Sequence, residues 1–303
     1  MKKIFKWLGI VIGILLGLLI ILLAVFYFKG NAMLNRTYDI PAENLPIPTD
    51  AASIARGNHF VQAVCTGCHT ADLSGQIMID APFAKIYSAN LTSGKGGAGS
   101  EFTDADFIRA LRHGVDDQGR ALVLMPAQVF WNFSDADLAD IVAYLKTVPP
   151  VDKEHPDPQI NPVGKIMFGA GMFGPDIVPA AVIAHDQRPP SIPIGVTSQY
   201  GQYLVNVTGC RDCHGAQLSG GTSGQPGALD APNLTPGGNL QTWTSADFIQ
   251  AIRTGVTSSG RVLNPDQMPW KDFGANYSDD ELKAIFMYLQ SLQALPTVKP
   301  QTK

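Results

Sequence analysis

Cysteine, histidine and charge are all scarce in this chain. Its 303 residues hold four cysteines, six histidines and 16% charged residues. The charge balance, 22 basic against 26 acidic residues, excludes the basic stripe that nucleic-acid binding needs. No stretch shows convincing period-two alternation, so strands are not expected. Acidic residues are missing from the whole N-terminal region, where Lys2, Lys3, Lys6 and Lys29 are the only charges.

What cysteine there is lies entirely in two pentads, Cys65-Thr-Gly-Cys68-His69 and Cys210-Arg-Asp-Cys213-His214. Each reads as a c-type haem attachment site, in which two thioethers hold the haem vinyl groups and the adjacent imidazole ligates the iron. The same spacing also occurs in redox dithiols and in zinc sites. A dithiol has no need of the following histidine. A zinc ribbon sets its pairs about 15–20 residues apart, and here 141 residues separate Cys68 from Cys210. Covalent haem is the reading the residues favour.

The chain repeats itself. Asn90-Leu91-Thr92 recurs as Asn233-Leu234-Thr235, and Phe102 to Gly114 recurs as Trp243 to Gly255. Met125-Pro126 recurs as Met268-Pro269, and Ser134 to Leu145 as Ser278 to Leu289. Order is kept and the offset drifts by only a few residues, so a whole domain is duplicated. Each copy predicts a short helix running into the pentad, a Gly-rich loop and two capped helices. Thr103 with Asp106, and Thr244 with Asp247, have capping-box spacing. Leu138, Ile141, Val142 and Leu145 fall on one helical face, as do Leu282, Ile285, Phe286 and Leu289. The expected fold is all-α, two tandem helical domains behind an N-terminal membrane helix. The expected division is an anchor over 1–29, an extended spacer over 30–50, a first domain over 51–150, a linker over 151–197, a second domain over 198–296 and a tail over 297–303.

The sixth iron ligand decides what a haem does. Met125 and Met268 hold equivalent places in the two copies, and each precedes a proline. A methionine in a helical domain is ordinarily core filler, but repeat register and the Met-Pro pair favour ligation. Met287 faces Ala143 in the alignment of the copies, and Met78 has no counterpart. His113, the rival in the first copy, corresponds to Thr254 and is expected at the surface or beside a propionate. Arg109, Arg112 and Arg253 are candidate propionate partners. The metal ligands are therefore expected to be His69 with Met125 and His214 with Met268, beside thioethers from Cys65, Cys68, Cys210 and Cys213. An iron filled on both sides passes single electrons and has no open position for bond chemistry, so no catalytic residue is expected.

Together these motifs resemble the class I cytochrome c superfamily, and more narrowly the multihaem cytochrome subunits of membrane-bound alcohol, aldehyde and gluconate dehydrogenases. The stretch Pro82-Phe83-Ala-Lys-Ile-Tyr87-x-x-Asn90-Leu-Thr92 is close to that family's pattern. The resemblance implies a small helical cytochrome c domain twice, two covalently bound haem c groups, and redox partner proteins. The donor would be a dehydrogenase or respiratory complex, and the acceptor a cytochrome or oxidase. The chain departs from those subunits in having two haem motifs rather than three and a membrane segment at its N-terminus rather than its C-terminus.

Trp7 to Phe28 is an unbroken run of 22 apolar or Gly residues behind three lysines. About 20 such residues span a bilayer, whereas a cleaved signal has a shorter run and a small-x-small site. An uncleaved anchor is expected, with the N-terminus cytoplasmic and the haem domains on the outer, periplasmic side of the inner membrane. Of the 22 basic residues, four belong to this region. The remainder has 18 basic against 26 acidic residues, net −8, which favours transient docking on a basic partner. The 151–197 stretch is proline-rich, yet Ile166 to Phe173 and Ile177 to Ile183 are too apolar for a loose tether. Two other classes compete with an electron carrier. A dihaem peroxidase or oxidase needs one open iron, and a haem sensor needs an output module.

Overall fold

The computed structural model describes residues 2–221 and 230–298. Its first element is α1, Lys2–Leu34, whose apolar side chains stand exposed along nearly all its length. The helix continues five residues past the expected end of the anchor. A helix this long and apolar is able to cross a membrane.

The first domain follows: α2 (Ala51–Val64), the one-turn α3 (Thr66–His69), β1 (Ile77–Ala81), β2 (Ala84–Tyr87), α4 (Ala98–Glu101), α5 (Asp104–His113), α6 (Ala127–Phe130) and α7 (Asp135–Leu145). The segment after it carries β3 (Gln159–Ile160) and α8 (Pro162–Gly169). The second domain repeats the helical plan with α9 (Ser198–Val207), α10 (Cys210–His214), α11 (Ser245–Thr254), α12 (Trp270–Asn276) and α13 (Asp279–Ser291). The expected capping boxes are formed at Thr103/Asp106 and Thr244/Asp247, each closing an amphipathic helix that ends on a left-handed glycine.

In both copies the first and last helices pack at a glycine. A Cβ on Gly57 would run into the Asp140 carbonyl, and one on Gly201 into the Ala284 carbonyl. This lets α2 lie directly against α7, and α9 against α13. Phe60, Leu138 and Ile141 fill the first seam and Leu204, Leu282 and Leu289 the second, all essentially inaccessible to water.

Strands were not expected, and this reading is corrected. β1 and β2 form an antiparallel hairpin through Pro82-Phe83, and β3 adds a third strand beside β2. The strands have only five, four and two residues, too short for alternation to register.

The 30–50 stretch is not a free spacer. Tyr38 N–H donates to the Gly119 carbonyl at 2.8 Å. Glu43 pairs with Arg112 at 3.1 Å, and Leu45 and Ile47 pack on the core. The 151–197 stretch is laid along the first domain and α1. Lys153 reaches the Gly75 carbonyl at 2.6 Å and His155 the Ser74 carbonyl at 2.8 Å. α8 lies on α1, and Leu124 N–H donates to the Ile177 carbonyl at 2.9 Å.

The two domains share an interface with pseudo-two-fold character. The acidic residues at the third position of the last helices, Asp137 and Glu281, are equivalents, as are His59 and Tyr203 on the first helices. Asp137 accepts from Tyr203 of the other domain, and His59 lies 3.0 Å from Glu281 of the other domain. Contacts that exchange partners in this way are those of a symmetric dimer, here within one chain. A cleft of about 630 Å³ opens beside them and holds no residue of either pentad.

Candidate metal centres

Each pentad occupies one turn of helix, which brings residues three and four apart onto one face. In the first, His69 N–H donates to the Cys65 carbonyl at 2.9 Å and Cys68 N–H to the same carbonyl at 3.1 Å. Both thiols and the imidazole thus issue from one turn. The chain then leaves through left-handed backbone. Thr70 (φ 68°) and Gly215 (φ 80°) are equivalents, as are Leu73 (φ 59°) and Leu218 (φ 58°). A left-handed leucine costs about 1–2 kcal/mol, and both are buried. The strained turn sends the backbone back under the histidine. Gly75 N–H donates to the His69 carbonyl at 2.9 Å, and Gly220 N–H to the His214 carbonyl at 3.0 Å.

This loop orients the imidazole. His69 Nδ1 donates to the Ala89 carbonyl at 2.8 Å, and His214 Nδ1 to the Pro232 carbonyl at 2.8 Å. A carbonyl only accepts, so the proton sits on Nδ1 and Nε2 keeps a free lone pair, as a metal-ligating histidine requires. Burial lowers the pKa of both histidines, outweighing the bonds to the Ala89 and Pro232 carbonyls. The neutral ligand form is the one favoured.

The Asn-Leu-Thr repeat now has a purpose. Leu91 N–H donates to Leu73 O and Leu234 N–H to Leu218 O, at 2.8 and 2.7 Å. The Asn90 amide reaches the Val151 carbonyl at 2.7 Å, and the Asn233 amide the Leu295 carbonyl at 2.8 Å. Thr92 and Thr235 donate back to the asparagine oxygens at 2.8 Å each. Both asparagines and both threonines are buried. The motif therefore bolts the histidine-supporting loop to the segment beyond the last helix.

Burial pushes the Cys65 and Cys210 thiols up to about 12 and raises Cys68 and Cys213 as well. Reactive redox dithiols are shifted the other way. Among the described residues the four cysteines form two separate pairs, with no cluster of three or more metal-binding groups. One turn presenting two thiols and one oriented Nε2 fits a haem c.

Met125 and Met268 come from separate elements that pack against the same hydrophobic core as Cys65 and Cys210. Their backbones match. Pro126 has φ −80°, ψ 57° and Pro269 φ −75°, ψ 53°, an inverse γ-turn closed from Ala127 N–H to Met125 O and from Trp270 N–H to Met268 O. Both methionines are half-buried, whereas Met287 is exposed on α13 and Met78 lies in β1.

His113 is not at the surface, one of the two places expected for it. It is buried, with Nε2 3.0 Å from Glu43 and Nδ1 3.0 Å from His185 Nδ1. The residues that cover it come from outside the repeat, so the comparison of copies held no sign of them. The three arginines are also engaged within the protein. Arg109 pairs with Asp106 at 2.5 Å. Arg112 is wholly buried against Glu43 and Asp135, and Arg253 pairs with Asp279 at 2.7 Å. Sequence reasoning missed Trp131 and Gln128, which follow the Met125 loop. Their Nε1 and Oε1 atoms are buried without a protein partner, and buried polar atoms are seldom left so.

Comparison with known proteins agrees with this geometry. The fructose dehydrogenase cytochrome subunit of Gluconobacter japonicus is 28% identical over 84% of this chain and 55% of its own length. The cytochrome c subunit of the quinone alcohol dehydrogenase of Gluconobacter oxydans is 29% identical, covering 82% and 57%. A diheme cytochrome c-type protein of Cereibacter sphaeroides is 24% identical over 90% of this chain and 97% of its own. The chain thus spans little more than half the length of the two dehydrogenase subunits. The cytochrome c family model matches residues 54–149 and again residues 198–293. With two complete pentads, two oriented histidines and two family domains that carry two covalently bound haem c groups, the chain belongs to the cytochrome c family.

Proposed function

We propose that the protein is a membrane-anchored dihaem electron carrier, passing single electrons from a dehydrogenase or respiratory complex to an acceptor cytochrome or oxidase. The observation that carries this reading is the twofold occurrence of one arrangement: a thiol pair at least partly buried, a histidine tied through Nδ1 to a carbonyl, and a Met-Pro γ-turn packed on the same core. His69 and Met125 hold the first iron and His214 and Met268 the second. A haem c so held supplies a one-electron couple whose potential methionine raises. Trp131, a buried N–H donor without a protein acceptor, would be available to donate to a haem propionate of the first domain. α1 spans the inner membrane with Lys2, Lys3 and Lys6 in the cytoplasm and the haem domains outside.

The dehydrogenase relatives bear on the partner, and the apolar α1 on the location. The test is direct. Purified protein should give two haems per chain by pyridine haemochrome, and both should survive denaturing electrophoresis. The oxidised form should show the near-infrared sulfur-to-iron band for two haems, and Met125→His or Met268→His should lower the potential of one haem only. Rapid carbon monoxide binding with peroxide turnover would move the protein to the peroxidase class.

A further inference from the structure

The outer end of α1 is not bare. The 22-residue apolar run covers about 33 Å at 1.5 Å per residue, close to the ~30 Å hydrocarbon core of a bilayer. Phe26 to Gly30 therefore falls where hydrocarbon gives way to headgroups. α8 packs on α1 at this level. A Cβ on Gly30 would collide with the Lys165 carbonyl, and one on Gly169 with the Phe26 carbonyl, so the two helix backbones touch. Lys165 Nζ donates to Asn31 Oδ1 at 2.8 Å and lies 5.7 Å from the Tyr27 ring centre.

α8 is in turn keyed to the first domain. Asn161 caps it, accepting from Gly164 N–H at 3.0 Å, and its amide reaches the Pro82 carbonyl at 2.8 Å. Phe168 packs on Phe173 at 4.7 Å and Phe173 on Phe83 at 5.7 Å, ring centre to ring centre. Phe83 stands in the hairpin turn, and just beyond the far end of β2 is the Ala89 carbonyl that receives His69 Nδ1. Backbone contact, packed phenylalanines and the hairpin thus connect α1 to the carbonyl that receives His69 Nδ1.

The outward side of this segment is apolar. Val163 is 58% and Met172 64% exposed. Half-buried Lys165 lies on this segment, and exposed Lys29 and Arg36 stand at and just beyond the outer end of α1, in a protein whose outer part is net −8. We propose that Val163 to Phe173 is a membrane-seating surface. Its apolar side chains enter the outer leaflet, and Lys29, Arg36 and Lys165 meet anionic headgroups, as interfacial helices do. The first haem is then held at a fixed height beside the bilayer. Lipid is the occupant, because α8 is fixed by backbone contact to the helix whose own neighbours are acyl chains. The inference rests on α1 spanning a membrane.

The test uses the full-length protein with both haems, in nanodiscs of phosphatidylcholine and phosphatidylglycerol. The pentad thiols are consumed by haem, so Val163→Cys, Met172→Cys, Leu18→Cys and Lys283→Cys each accept a single nitroxide. Unchanged haem spectra confirm folding. Oxygen and a nickel chelate then report depth. Leu18 should lie in hydrocarbon and Lys283 in water, while 163 and 172 lose nickel accessibility and retain oxygen accessibility. Full nickel accessibility at 163 and 172, with Leu18 still in hydrocarbon, overturns the seat and leaves the anchor standing. Nickel accessibility at Leu18 overturns both. Shielding of 163 and 172 from both reagents places them against protein and overturns the lipid assignment.

Discussion

The two domains repeat one geometry of pentad, histidine loop and Met-Pro turn in very different settings. The first is enclosed: the 34–50 stretch covers His113, the hairpin braces the histidine loop, and the 151–188 stretch runs along α1 and the Met125 turn. The second has no such wrapping among its described residues. At the methionine turns the contrast is sharp. Leu124, left-handed at φ 73°, is held by the Ile177 carbonyl from outside the domain, whereas Met268 N–H bonds to Asn264 within its own loop. Local sequence therefore sets the shape of the methionine turn, and the surrounding chain sets what braces it.

The strongest way to break the comparison is to empty one side. Cys210→Ala with Cys213→Ala should halve the haemochrome yield and leave the first haem's spectrum intact. Loss of both haems would mean that the first domain depends on the second for more than packing. Next in size are the helix seams. Gly57→Ala and Gly201→Ala force equivalent backbone collisions, each costing about 3 kcal/mol, the upper end for overpacking. Thermal unfolding followed at each haem should show the second domain lost earlier in Gly201→Ala than the enclosed first domain in Gly57→Ala.

A smaller effect concerns ligand exchange. Added imidazole should displace Met268 about fivefold faster than Met125, the worth of one hydrogen bond of ~1 kcal/mol. The decay of the near-infrared band, resolved into two phases by Met268→His, measures it. Equal rates would mean that the Ile177 contact does not restrain the turn. The smallest effect is in pH. Burial of Glu281 raises its pKa, but His59 and the Ser278 cap outweigh burial and the net shift is downward. A depressed carboxylate contributes stability above its ordinary value of 4.5 that is lost as pH falls through the folded value. Acid unfolding below about pH 4.5 should accordingly be shallower in Glu281→Gln. An unchanged acid limb would show that His59 does not couple the domains.

Much of this was legible in the chain because duplication writes everything twice. The pentads read directly, and the capping boxes, helix faces and Met-Pro pairs stand out because each occurs in both copies. What repeated without an obvious chemistry, Asn-Leu-Thr, was visible as a pattern but not as a clamp. Its partners Val151 and Leu295 lie about 60 residues away, and backbone carbonyls carry no sequence signal. What occurs once escaped altogether. The hairpin strands are too short for periodicity, and the burial of His113 depends on Glu43 and His185, remote in sequence. The salt bridge of Arg112 was hidden in the same way, because Glu43 lies 69 residues from it.

The interface in which His59 and Tyr203, and Asp137 and Glu281, stand in matching places has one more consequence. Two separate identical chains meeting about such an axis must carry the same residue on both sides, and any change is made twice. Joined in one chain, the halves are released from that rule. Histidine can face glutamate at one point while tyrosine faces aspartate at its mirror image. A symmetric pair of irons would have equal potentials and no preferred direction for an electron. Fusion makes inequality heritable: either site can change without the other.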